Sequence, residues 1–180
     1  PSWWGAWRGL WLLTWKSHLA WRRLPGLALS LLARPVLATI PLDPGDTRPY
    51  LHWVVDFYLQ LVLPLYCLFV CGAMIRDELQ GDTFGFLLTR PVTRAQLYLL
   101  KFSCHLLWLE MLALIEGVLL LGVGYQHDIP DLATLGGLLL GTQALAVFAY
   151  GALSALFGLL HQRYLVLGLI YGIVVEIGIA

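Results

Sequence analysis

The chain has 180 residues, of which 59% are hydrophobic and only 12% charged, about half the roughly 25% charged residues of an ordinary soluble domain. Mean hydropathy is +0.77, so the sequence cannot supply the polar shell that a soluble fold of this length needs. Eleven basic and eleven acidic residues cancel to a formal net charge of zero; nothing in that balance points to nucleic acid or another polyanion.

Residues 1–23 differ in kind from residues 24–180. Six of the eight tryptophans fall in the first 21 residues, and Trp4, Trp7, Trp11 and Trp15 recur at helical spacing. Indole rings favour the membrane–water interface, and Arg8, Lys16, Arg22 and Arg23 are placed to reach lipid phosphates. The pattern predicts an elbow helix lying on the cytoplasmic leaflet. The alternative is a cytoplasmic extension of the first span. A secretory signal does not fit, because Lys16 and His18 interrupt the apolar stretch and no small-residue cleavage site follows.

Five apolar runs follow, near residues 24–41, 51–75, 97–123, 132–160 and 164–180. Each approaches the 20 or so apolar residues that a membrane-spanning helix requires. The first is short and contains Arg34 and Pro35. Strand alternation is absent, which argues against a barrel. The expected fold is therefore all-α, a polytopic membrane helix bundle with five visible spans. Cytoplasmic loops retain Lys and Arg. Nine of the eleven basic residues fall before the first span, between the second and third, or between the fourth and fifth. This places the N-terminus and the Arg76-to-Lys101 segment in the cytoplasm of a multi-pass cell (inner) membrane protein.

The loop at residues 76–96 is the most informative stretch. Asp77, Glu78 and Asp82 make an acidic start suited to a helix N-terminus. Thr83, Phe86, Leu87 and Leu88 then recur with helical spacing. Pro91 stops that helix through its effect on Arg90. Thr93 opens the next helix, with Gln96 three residues on completing a capping box. The predicted product is a short amphipathic helix under the membrane, tied by tight turns to two spans. An ordinary solvated loop is the alternative on physics alone.

Glu78, Thr83, Leu87, Pro91 and Arg94, closing on Lys101, resemble the permease subunits of type 2 ABC (ATP-binding cassette) exporters. The N-terminal basic helix and the spacing of spans are similar as well. Asp82 stands where that family usually has glycine. The resemblance implies a pair of permease subunits, homo- or heterodimeric, above two ATPase subunits. The segment from Asp77 to Leu88 would be a coupling helix docking on the ATPase, which would carry the ATP and Mg²⁺. It also implies six spans, so the 180-residue chain is expected to be a fragment with its last span or spans missing. The 180 residues contain no nucleotide-binding P-loop: the only lysines, Lys16 and Lys101, follow Trp15 and Leu100, where the motif needs Gly-Lys-Ser or Gly-Lys-Thr. The chain is not expected to be an enzyme by itself.

Charges inside spans are costly and therefore informative. Arg34 and Asp56 lie at similar depth in the first two spans and are expected to form a structural ion pair. Glu110 and Glu176 lie at comparable depth from the cytoplasmic end, and with Gln60 or Gln143 they are candidates for a polar substrate pathway. Packing-satisfied carboxyls are the alternative, and Glu116 belongs to the same set. Gly137 with Gly141, Gly151 with Ala155 and Gly168 with Gly172 are small-xxx-small pairs suited to close helix packing. His105 with His161 is the only plausible haem pair, and packing explains both. Cys67, Cys71 and Cys104 lack the further soft ligands that a zinc or copper site needs. Ser103 and His105 point apart on a helix, so no nucleophile–base pair is formed. No catalytic or metal residue is assigned. Two readings stand: an ATP-driven exporter permease working by alternating access, and a non-transporting scaffold or sensor derived from a permease fold. Only the intact pattern from Glu78 to Arg94 favours the first.

Overall fold

In a bilayer every backbone N–H and C=O must find a partner within the protein, so long apolar stretches fold as helices. The computed structural model describes residues 3–18, 46–74, 93–160 and 163–172, and every regular element among them is helical. We label them α1 (Trp3–His18), α2 (Thr47–Ala73), α3 (Arg94–Gln126), α4 (Leu132–Leu160) and α5 (Tyr164–Tyr171). Helices α2, α3 and α4 are each long and apolar enough to cross a membrane. The protein is an all-α membrane helix bundle. The apolar run at 24–41 and the loop at 75–92 lie outside the described residues.

Helix ends follow their local chemistry. Thr93 Oγ1 accepts from the Gln96 N–H (3.3 Å) and Gln96 Oε1 accepts from the Thr93 N–H (3.1 Å), which completes the capping box at the start of α3. At its other end the Ile129 N–H donates to the Gly124 carbonyl (3.1 Å) and the Asp128 N–H to the Tyr125 carbonyl (3.3 Å). That is a Schellman motif, and buried Ile129 packs in the core that also holds Val123. The left-handed position is taken by Asp128 (φ 54°) rather than glycine. Aspartate tolerates this region better than most residues.

Helix α2 is irregular in the middle. Trp53–Val62 winds as a π-helix between two α-helical ends, and the Leu63 N–H donates to the Tyr58 carbonyl five residues back. Pro64 follows at once. Proline has no N–H for the Gln60 carbonyl, and its ring would crowd that carbonyl in a regular helix. Widening the preceding turns relieves the conflict.

Helix α2 packs most extensively on α4; α3 lies against both, α1 rests on α3, and α5 covers α4 and α2. The α2–α4 contact is close enough to be backbone on backbone. A methyl group on Gly158 would fall on the Gly72 carbonyl, and one on Gly151 would meet Leu106 and Cys71. Of the expected small-residue pairs, Gly151 with Ala155 is buried in this seam, whereas Gly137 and Gly141 face open space. Gly168 meets Leu68, and Gly172 meets nothing. Leu145, Phe148 and Leu160 of α4 remain exposed, as an apolar solvent allows.

Two outcomes are expected from detergent-solubilised protein followed by thermal unfolding. Gly158→Ala should destabilise by about 1–3 kcal/mol through overpacking, whereas Gly137→Ala should stay within about 0.5 kcal/mol; equal effects would show that the seam is not set by backbone approach. Asp128→Val should cost about 1–2 kcal/mol at a left-handed position, whereas Asp128→Gly should be tolerated.

Candidate functional site

The first feature is the base of the 75–92 loop. Lys101, one residue past the second turn of α3, is only 9% exposed. Its Nζ donates to the Met74 carbonyl (3.1 Å), at the last described residue of the α2 end. A lysine interacting with terminal carbonyls complements the helix dipole. With the Thr93 capping box it ties the end of α2 to the start of α3. Both ends of the loop are thus fixed to the spans that flank it.

The second feature is a buried polar layer. Gln143 (0% exposed) donates from Nε2 to the Ala113 carbonyl (3.1 Å), and Tyr58 (1% exposed) directs its hydroxyl at Gln143 Oε1 (3.3 Å) and the Ala113 carbonyl (3.5 Å). Gly117 makes room, because a methyl group there would strike the Gln143 amide. Higher on the same seam Tyr50 Oη donates to the Leu120 carbonyl (3.1 Å), beside Gly124. In a helix the carbonyl at i lies next to residue i+4. Ala113 and Leu120 are each followed four residues later by glycine, so both carbonyls are open to a tyrosine from α2. Glu116 is buried beside this layer, at a cavity of about 20 Å³ lined also by Tyr58 and Tyr66. That volume suits about one water molecule.

The third feature is a groove of about 200 Å³ between α2, α4 and α5. Asp56 and Gln60 line it on the π segment, with Tyr150, Ser154, Phe157 and Tyr171 among the facing residues. Phe157 and Tyr171 meet at 5.9 Å, edge to face.

A fourth feature ties α1 to the bundle. Trp7 and Trp11 stack in parallel (5.9 Å), Trp11 meets Trp15 (5.8 Å), and Trp15 stands edge-on to Trp108 (5.1 Å). Trp108 is 3% exposed and lies fourteen residues into α3, about 21 Å along its axis. Thr14 is buried as well, whereas Arg8 and Lys16 point outward. The lower part of the tryptophan row therefore serves as a protein contact on α3.

The expected site residues divide as follows. Asp77, Glu78, Asp82, Thr83, Phe86, Leu87 and Pro91 lie outside the described residues, as do Arg22, Arg23, Arg34 and Glu176. Trp4 and Arg94 belong to α1 and α3, and their side-chain placement is not described. Asp56, expected opposite Arg34, bonds His52 Nδ1 through Oδ2 at 2.5 Å, one turn back on its own helix. Gln60 opens on the groove, whereas Glu110 is half-buried on α3 and Gln143 is locked in the polar layer. The structure therefore does not gather Gln60, Gln143 and Glu110 into one cavity. Tyr50, Tyr58 and Trp108 escaped the sequence reading; the glycines four residues after Ala113 and Leu120 were the available signal.

A family model described as "ABC-2 family transporter protein" matches residues 21–178. No curated protein and no solved structure matches the chain. The match spans the apolar runs and the loop that carries the coupling-type pattern. The chain accordingly belongs to the ABC-2 transporter family, as a membrane permease component of an ABC transporter.

Proposed function

We propose that the chain is an exporter permease that pairs with a second permease subunit and takes its power from separate ATP-binding cassette subunits, which hold the ATP and Mg²⁺. In this reading the N-terminus and the 75–92 loop face the cytoplasm, in agreement with the placement of basic residues. Asp77, Glu78, Asp82, Thr83, Phe86, Leu87, Pro91 and Arg94 meet the ATPase. One observation carries the proposal: the loop is held at both ends, by Lys101 on Met74 and by the Thr93–Gln96 box. A push on a loop that is fixed in this way moves α2 and α3 together, whereas a loosely hung loop would absorb it. Gly72 against Gly158 then passes the displacement from α2 to α4. Glu110 and Glu176 are proposed as acidic positions along the route that α2 and α3 gate.

Charge reversal at the contact supplies the test. Glu78→Arg should weaken capture of the ATPase by about 2 kcal/mol or more, about thirtyfold, and abolish substrate-stimulated ATP hydrolysis, while the melting temperature of the permease stays unchanged. Unaltered complex formation, with no stimulation in the parent protein either, would instead favour a non-transporting scaffold or sensor. Lys101→Met should leave ATPase binding intact but lower transport per ATP several-fold, with faster amide exchange at Met74 and Thr93. Full coupling in that variant would remove the fixed loop from the mechanism.

A further inference from the structure

The groove between α2, α4 and α5 has a polar end and a long apolar body. Asp56 and Gln60 are its lining residues nearest the start of α2, and Leu65, Leu68, Leu153 and Phe157 continue it. From Asp56 to Leu68 the wall runs up to about 18 Å, the length twelve residues span at the α-helical rise, which is long enough for an extended alkyl chain. The polar end is acceptor-rich. The Asp56 carboxylate is half exposed, with His52 on Oδ2. The Gln60 amide lies one turn on. A carboxylate within a membrane span is costly and marks a place where a charge partner is accommodated. Charge complementarity selects a cation for that end, and the apolar wall selects a hydrocarbon.

We propose that this groove binds a cationic amphiphile, with its ammonium head at Asp56 and Gln60 and a single alkyl chain along Leu65, Leu68, Leu153 and Phe157. The proposal rests on the permease reading and names the substrate class for it. A neutral amphiphile would lack the ion pair, and an anionic one would meet the Asp56 charge directly. Recognition is by head-group sign combined with chain fit.

The test uses the whole permease in vesicles of uncharged glycolipid and three photoactivatable probes with the same dodecyl tail: trimethylammonium, sulfate and glucoside. Labelling is read residue by residue, as the ratio of groove positions to the lipid-facing positions Leu145 and Phe148, which cancels differences in partitioning. The ammonium probe should give a ratio about fivefold above the glucoside, the size of an ion pair worth about 1 kcal/mol, and the sulfate should fall below it. Asp56→Asn should bring the three ratios together. Leu65→Trp and Leu153→Trp, which fill the groove from opposite walls, should each reduce all three to the lipid-facing level. Equal ratios for the three heads, or an Asp56→Asn ratio that still favours ammonium, would overturn the proposal. Because labelling needs no ATPase, it remains readable in Glu78→Arg. Loss of coupling without loss of labelling separates the power-transmission reading from the groove.

Discussion

At its closest points α2 meets its neighbours at their backbone. Gly72 meets Gly158 main chain to main chain, and two tyrosines of α2 reach α3 carbonyls that glycines leave uncovered. In a bilayer no hydrophobic drive brings helices together, since lipid tails are as apolar as leucine. Association rests on close packing and interhelical hydrogen bonds, and both need the helices to approach beyond what side chains ordinarily allow. Two further arrangements depend on the same lack of side chain. The Gln143 amide can enter only because Gly117 is notched, and α5 can settle on α2 only where Gly168 admits Leu68.

The π segment is what keeps this seam in register. On α3 the two accepting carbonyls, Ala113 and Leu120, are seven residues apart, close to two full turns. On α2 the donating tyrosines, Tyr50 and Tyr58, are eight apart. A uniform α-helix would have swung the second tyrosine off the seam. The π turns, with their i→i+5 bonds, absorb the extra residue and bring it back. The same widening carries Asp56 and Gln60 to the opposite side of α2, facing the groove rather than α3. One irregularity therefore serves both faces: it completes the buried polar layer and positions the polar lining of the groove.

Much of the fold was legible because its cause was local. The apolar runs gave α2, α3 and α4 within a few residues, and α4 at the bounds observed, since length and hydropathy alone decide whether a segment can cross a bilayer. The Thr93-x-x-Gln96 spacing gave the start of α3 because the capping box involves only those residues. What stayed hidden depends on partners distant in the chain. Gly137 with Gly141 and Gly151 with Ala155 look alike as patterns, yet only the second faces another helix. Eight-residue spacing between Tyr50 and Tyr58 matches no regular period, and the uniformly apolar stretch around it conceals the π turns. Asp56 also has a local partner, His52, four residues back and so on the same helix face; Arg34, its expected partner, lies outside the described residues.

The four-indole row through Trp7, Trp11 and Trp15 to Trp108 gives the protein a built-in optical gauge. Three of its rings ride on α1 and the fourth is sunk in α3, in contact with its neighbour. Rings this close exchange excitation, so the emission of the row depends on each gap in it. Any displacement of α1 from α3 opens the final gap at Trp15 and changes what surrounds Trp108. The colour and polarisation of native emission therefore respond to how firmly the N-terminal helix is seated on the bundle, with no label attached.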